Sequence, residues 1–419
     1  MWRRMKIKQS MKRQFTSIAD QAGHAGIALL CLIAFGRWLG TFEFGALMAG
    51  YALWLLFESL QRATILIPSV ISISRHGESA AAYGSWSRIG LLFGLLCAAL
   101  TAIAGTAAVM LESRFWSIAL LSGAAFTLLG CTNVLFRRLA FHAGRYMHIF
   151  IGCALAVAAI LGVSAYFIAT SHRPTLLGSI LLYCAFYLIS PMVIALAAPR
   201  TYFTTPLPLW SVFSDRLAFI AQMSAGSIAQ YFYNNGVQLL MAVFSTPLAV
   251  AAFSASRTMA RPLFILSSAM FDAERSQAAK RYAVDGSEGL HAMLRPMTRL
   301  FIFVFTPVIL LMAAAAPYAT HLAFGGKYDD YGLSAVFWII ALVPQILSFP
   351  LDIVLTTLGD SAFLMRSRFE AASICIGTFF CGLLFMPTVS VNWGISAILV
   401  ARIWLLIRNA ARYRALQLI

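Results

Sequence analysis

Apolar runs of about 20 residues recur from one end of the chain to the other, broken by short polar segments. Twenty residues of helix, at about 1.5 Å of rise per residue, span the roughly 30 Å hydrocarbon core of a bilayer. The pattern predicts transmembrane helices at about 20–40, 44–73, 89–111, 115–135, 147–169, 175–198, 217–241, 247–271, 300–322, 333–358, 369–386 and 392–410. The expected fold class is therefore all-α: a polytopic membrane protein of about twelve helices. The longer polar connections, 199–216 and 272–299, read as loops. The first carries Pro199, Pro206 and Pro208 near mid-chain, a natural linker. It divides the chain into an N-terminal six-helix bundle, 1–205, and a C-terminal one, 206–419.

Composition sharpens this picture. The chain of 419 residues is 61% hydrophobic and only 11% charged. A soluble domain of that size needs far more charge to cover its surface. The net charge of +16 does not point to nucleic acid, because the basic residues fall in short clusters between apolar runs. With twelve crossings, 23 of the 31 basic residues lie on one side and 3 on the other, the rest falling within helices. The positive-inside rule then places both termini in the cytoplasm of a bacterial inner membrane. The basic N-terminal stretch, Met1 to Arg13, reads as the lead of an uncleaved first helix. All seven cysteines lie inside apolar runs and read as small core hydrophobes, with no disulfide and no metal site expected.

The two halves carry a weak internal repeat. At a constant offset of 203, Ala22 and Gly23 match Ala225 and Gly226, and Ala46, Ala49 and Ala52 match Ala249, Ala252 and Ala255. Parallel duplication is a known transporter design. Two GxxxG pairs, Gly36–Gly40 and Gly90–Gly94, suggest close helix packing.

Ionisable side chains inside a bilayer cost about 2.5–3.5 kcal/mol each on insertion scales, so they are functional candidates. Five arginines fall within the predicted helices against two acids, Glu58 and Asp352. That excess of positive charge calls for a compensating anion or water. Arg257 and Arg261 share a face of the eighth helix and are the first candidates for binding an anion. Arg62 either joins them or forms a salt bridge with Glu58 one turn earlier; Arg37 either joins them or snorkels to the headgroups. Arg402 reads as snorkelling to the cytoplasmic side. On the seventh helix Ser227, Gln230, Asn234 and Gln238 are spaced 3, 4 and 4, one polar face. Amides and hydroxyls there suit sugar hydroxyls, or interhelical hydrogen bonds. Glu58 and Asp352 are candidates for coupling to a proton or sodium gradient, or for salt bridges to the arginines. No phosphate-binding loop, HExxH, CxxC pair or G-x-S-x-G occurs. The outer loops are too short to hold a glycosyltransferase or polymerase site.

The segment LGTFEFG, Leu39 to Gly45, between the first two helices resembles the opening of the polysaccharide flippases. These Wzx-like proteins belong to the multidrug/oligosaccharidyl-lipid/polysaccharide (MOP) exporter superfamily. LAFGGKYDDYG, Leu322 to Gly332, resembles their turn before the tenth helix. The resemblance implies two six-helix bundles around a central cavity, alternating access without catalysis and no cofactor. It implies a lipid-linked glycan of the polyprenyl pyrophosphate type as substrate. Membrane lipids, a polysaccharide polymerase and glycosyltransferases are the implied partners. Cavity arginines on the first, second and eighth helices are also implied, where Arg37, Arg62, Arg257 and Arg261 fall. The alternative is a multidrug exporter of the same superfamily, whose cationic drugs need an acidic cavity.

Overall fold

The structure, a computed structural model, describes residues 23–69, 80–170, 172–197, 217–385 and 389–417. The N-terminal basic stretch, the 199–216 linker and the last two residues lie outside them.

Twelve helices are present among the described residues. The first six are α1 (Gly23–Trp38), α2 (Thr41–Gln61, continuing through a wide π turn, Arg62–Leu66), α3 (Ala80–Met110), α4 (Arg114–His142), α5 (Tyr146–Thr170) and α6 (Leu176–Ala197). Next comes α7, which joins Leu217–Tyr231 to Val237–Phe244 through a second π turn, Phe232–Gly236. A helical run from Pro247 to Phe324 follows, interrupted at Gly286. We number its parts α8 (247–285) and α9 (287–324). The last three are α10 (Gly332–Thr357), α11 (Ser361–Phe385) and α12 (Val391–Gln417). Eight helical stretches are long and apolar enough to cross a membrane. The molecule is a polytopic membrane protein.

The helices outrun the apolar windows that marked them. Residues 272–299, expected to be a loop, are helical on both sides of Gly286. The segment is rich in Ala, Glu, Arg, Lys and Leu, all strong helix formers, so leaving the bilayer does not end the helix. What breaks it is Gly286, at φ 63° and ψ −150°, a conformation costly for any residue with a Cβ. For the same reason α3 begins at Ala80, α4 runs on to His142 and α12 to Gln417. Thr246 caps α8, its hydroxyl accepting from the Ala249 amide at 3.2 Å, with Pro247 at the first helical position. Gly325 ends α9 in the left-handed conformation, its amide returning to His321 O at 2.8 Å.

The chain forms two compact units, Met1–Tyr231 and Phe232–Ile419, dividing within α7. In the first, α4 packs against α2, α3 and α6, and α5 against α6. In the second, α10 packs against the α8–α9 run and α12, and α11 against α12. The order of packing is thus the same in both. The apolar stretches of α4 and α10 are each 61% buried, the highest share of any span, and each forms the centre of its unit. Other helices leave apolar faces open for lipid, such as Leu92, Leu96, Leu100 and Ile103 on α3.

The repeated alanines occupy equivalent places. Ala46, Ala49 and Ala52 on α2 and Ala252 and Ala255 on α8 are fully buried, and Ala249 is 9% exposed. In unit 1 small residues close the α2–α4 contact, where Gly50 meets Ala119 and Gly123. Gly90 and Gly94 of α3 meet Leu135 and Cys131 of α4, as close helix packing requires. Five cysteines are buried, Cys184 is half-buried and Cys381 is exposed; all seven thiols are free.

Candidate functional site

A concentration of buried polar chemistry lies in unit 2, where four elements contribute. From α8 comes Arg257, ten residues past Pro247 and so about 15 Å from the helix end, half the hydrocarbon thickness. Its Nη1 donates to Gln238 Oε1 at 3.4 Å, and its Nη2 donates to Asn235 Oδ1. From α12 comes Arg402, only 3% exposed, whose Nη1 donates to Ala341 O of α10 at 2.9 Å. Its Nη2 donates to Asn234 Oδ1 at 3.1 Å. Beside both stands Trp338 of α10, 1% exposed. The guanidinium carbons of Arg257 and Arg402 lie 5.5 and 5.9 Å from its ring, within cation–π range.

The π turn of α7 explains how adjacent residues serve both arginines. A regular helix turns successive side chains about 100° apart, and the wider π turn shifts the register of everything that follows. Asn235 accepts from Arg257 while Asn234 accepts from Arg402. The four residues expected to form one polar face on this helix are divided by the turn: two precede it, Asn234 lies within it and Gln238 follows it. That expectation assumed an unbroken 3.6-residue period. Gln238 is buried and Asn234 half-buried, both in unit 2. Ser227, half-buried, and Gln230, exposed, precede the turn and belong to unit 1.

Arg402 is the residue that sequence reasoning misplaced. Its helix was expected to end near 410, which set the side chain close enough to the cytoplasmic end to snorkel. The helix runs to Gln417, so Arg402 lies near its middle and cannot reach out. Arg261, one turn beyond Arg257, is half-buried. Asp352 on α10 is half-buried and accepts a hydrogen bond from Asn409 Nδ2 of α12 at 2.5 Å. Ser348 also lies one turn before it on the same helix.

The unit 1 candidates read differently. Arg62 is the first residue of the α2 π turn, 53% exposed, and pairs with Glu58 at 2.9 Å across one turn. The intrahelical salt bridge weighed for it is present. Arg37, at the end of α1, is exposed. The offset of 203 that aligns the alanines sets Trp54 and Glu58 against Arg257 and Arg261. Trp54 is 2% exposed and packs on Tyr51 and Tyr187. At the position equivalent to Arg257, unit 1 thus carries an indole.

No family model matches the chain, and no curated protein matches it. Solved structures do. The chain is similar to an inward-facing multidrug resistance MATE family transporter of the MOP superfamily, at TM-score 0.76 and 14% identity, covering 95% of both chains. It is similar to the eukaryotic MATE transporter AtDTX14, at TM-score 0.64 and 10% identity, over 97% of this chain and 96% of that one. A third is a MOP superfamily transporter from Pyrococcus furiosus, described as having a binding pocket of reversed polarity that suggests a different function. It matches at TM-score 0.61 and 13% identity, over 96% and 95%. At these identities the likeness is one of fold: the chain has the fold of the MATE transporters of the MOP superfamily over nearly its whole length.

Proposed function

We propose that the chain is a membrane transporter that works by alternating access, exposing a binding site in turn to the two sides of the bilayer. The observation that carries this reading is the near-complete match of fold to MATE transporters. Such a cycle binds, reorients and releases, and asks no covalent chemistry of the protein. Since one of those neighbours is a multidrug resistance transporter, a multidrug exporter is supported at least as well as a polysaccharide flippase.

One observation favours an anionic cargo, and with it the flippase reading. The polar centre of unit 2 carries two guanidinium groups, and the described partners of Arg402 are a carbonyl, an amide oxygen and an indole, none of them an acid. A drug cation entering beside two fixed positive charges is repelled, whereas a pyrophosphate is attracted. The resemblance of Leu39–Gly45 and Leu322–Gly332 to polysaccharide flippases points the same way. The Pyrococcus transporter is a precedent for changed pocket polarity on this fold.

Two assays divide the readings. In proteoliposomes, the flippase reading expects a fluorescent lipid-linked oligosaccharide to become accessible on the opposite leaflet, with no efflux of cationic dyes. Dye efflux without lipid movement would establish the multidrug reading instead. Activity towards neither, by protein shown to be folded, would remove both.

Orientation follows from the charge asymmetry, and we place both termini in the cytoplasm of a bacterial inner membrane. In a cysteine-free background, a cysteine at Asp329, exposed in the short turn before α10, reacts with an impermeant thiol reagent added to whole cells. A cysteine at Ser287, beside the Gly286 break, stays unlabelled until the cells are opened. The reverse pattern overturns the orientation.

A further inference from the structure

We infer that the interior of unit 2 holds a small inorganic anion of the halide class, bound between Arg402 and Trp338 and separate from any transported substrate. Two donors carry the argument. Arg402 Nε and Trp338 Nε1 are both buried with no hydrogen-bond partner among the described residues. Their residues are 3% and 1% exposed, and the guanidinium lies 5.9 Å from the indole ring. An unmade hydrogen bond is costly at a buried neutral donor, and more so at a charged one. Both groups are donors only, so neither satisfies the other, and each calls for an acceptor.

The charge around them selects the kind of acceptor. Arg402 spends its two terminal nitrogens on Ala341 O and Asn234 Oδ1, which satisfy hydrogen bonds but do not neutralise charge. Arg257 places a second guanidinium over the same indole, at 5.5 Å. A water molecule would meet the two donors but would not balance the charge of Arg402, whose described partners include no acid. An anion meets both needs. Burial selects its size, because a pyrophosphate headgroup cannot reach donors at this depth without opening the bundle. Chloride or bromide can remain there through a transport cycle as the counter-ion of Arg402, leaving the charge of Arg257 to the cargo.

The test is halide-dependent stability of the purified full-length protein in detergent. Samples are dialysed into chloride, bromide or gluconate at equal ionic strength. Binding only to the folded state raises the melting temperature with ligand concentration, here by about 3 °C or more at saturating bromide. Trp338→Phe keeps an aromatic ring under both arginines and removes the donor; Arg402→Gln removes the charge. Both are expected to lose most of the halide dependence while still unfolding cooperatively. Anomalous scattering from bromide-soaked crystals locates the ion beside Arg402. Equal melting temperatures in bromide and gluconate, or bromide found elsewhere with none beside Arg402, overturns the inference. So does a halide response that Trp338→Phe and Arg402→Gln both retain in full. A halide site remains demonstrable if the cargo proves to be a cation, so this inference and the flippase reading fail separately.

Discussion

Gly50→Ala strongly destabilises unit 1, although alanine is the better helix former. In an open helix the substitution would gain about 1 kcal/mol. Here the added Cβ would meet backbone: besides Ala119 O, it lies 2.6 Å from Ser122 Oγ and 2.8 Å from the Gly123 amide nitrogen, all on α4. A flexible side chain can swing aside, but a helix backbone cannot, so α2 and α4 must separate. Overpacking of this kind costs about 1–3 kcal/mol or more, enough to outweigh the propensity gain. The contact joins the central helix of unit 1 to a neighbour whose buried alanines line the same seam. The expected result is a melting temperature lowered by several degrees and membrane abundance reduced several-fold. Gly162→Ala is the control: nothing lies within 4 Å of its Cβ, and the residue is exposed on α5. It should be neutral or slightly stabilising. If Gly50→Ala matches Gly162→Ala in thermal unfolding of the purified protein, the α2–α4 contact is looser than the structure shows.

What was legible in the sequence is what the bilayer dictates. Length and hydropathy set the number and order of helices, because a chain in lipid must satisfy its backbone within each span. Hydropathy measures the slab and not the helix. For that reason the segment 272–299 and the ends of α3, α4 and α12 were read as shorter or non-helical. The same displacement hid Arg402, since a residue at mid-helix looked like one near an end. The turn within α7 is hidden from the sequence for a second reason. Periodicity presumes a constant turn, and the π turn at Phe232–Gly236 leaves no hydropathy signature. The partners of the arginines were beyond reach for a third. Asn234, Gln238, Trp338 and Arg402 are spread over 168 positions of chain, and single-sequence spacing says nothing about contacts between helices. The pair Glu58–Arg62 was readable because both residues stand on one helix, where four positions bring two side chains together.

Loss of Arg257 should abolish most transport while the protein still reaches the membrane. The residue lies half-buried and halfway along its helix, with its two terminal nitrogens steered by Gln238 and Asn235. Those amides fix the plane of the guanidinium, and a fixed guanidinium presents donors in a fork that matches a phosphate or carboxylate. A charge-assisted contact contributes about 1.5–3 kcal/mol. At about 1.4 kcal/mol per decade, its removal lowers transport of an anionic cargo at least about tenfold. Arg257→Lys keeps the charge but lacks the planar fork of donors, so it restores activity only in part. Arg261→Ala is expected to have the smaller effect, and the double variant to be no better than Arg257→Ala alone. The measurement is transport by purified, reconstituted variants, with abundance and melting temperature determined on the same samples. A structural role predicts a different pattern, in which Arg257→Ala lowers the melting temperature and activity recovers when folded protein is matched. Full transport by a stable Arg257→Ala protein removes this residue from the substrate site. An unchanged or improved rate for a cationic dye, with loss for the lipid-linked glycan, assigns the site to an anion.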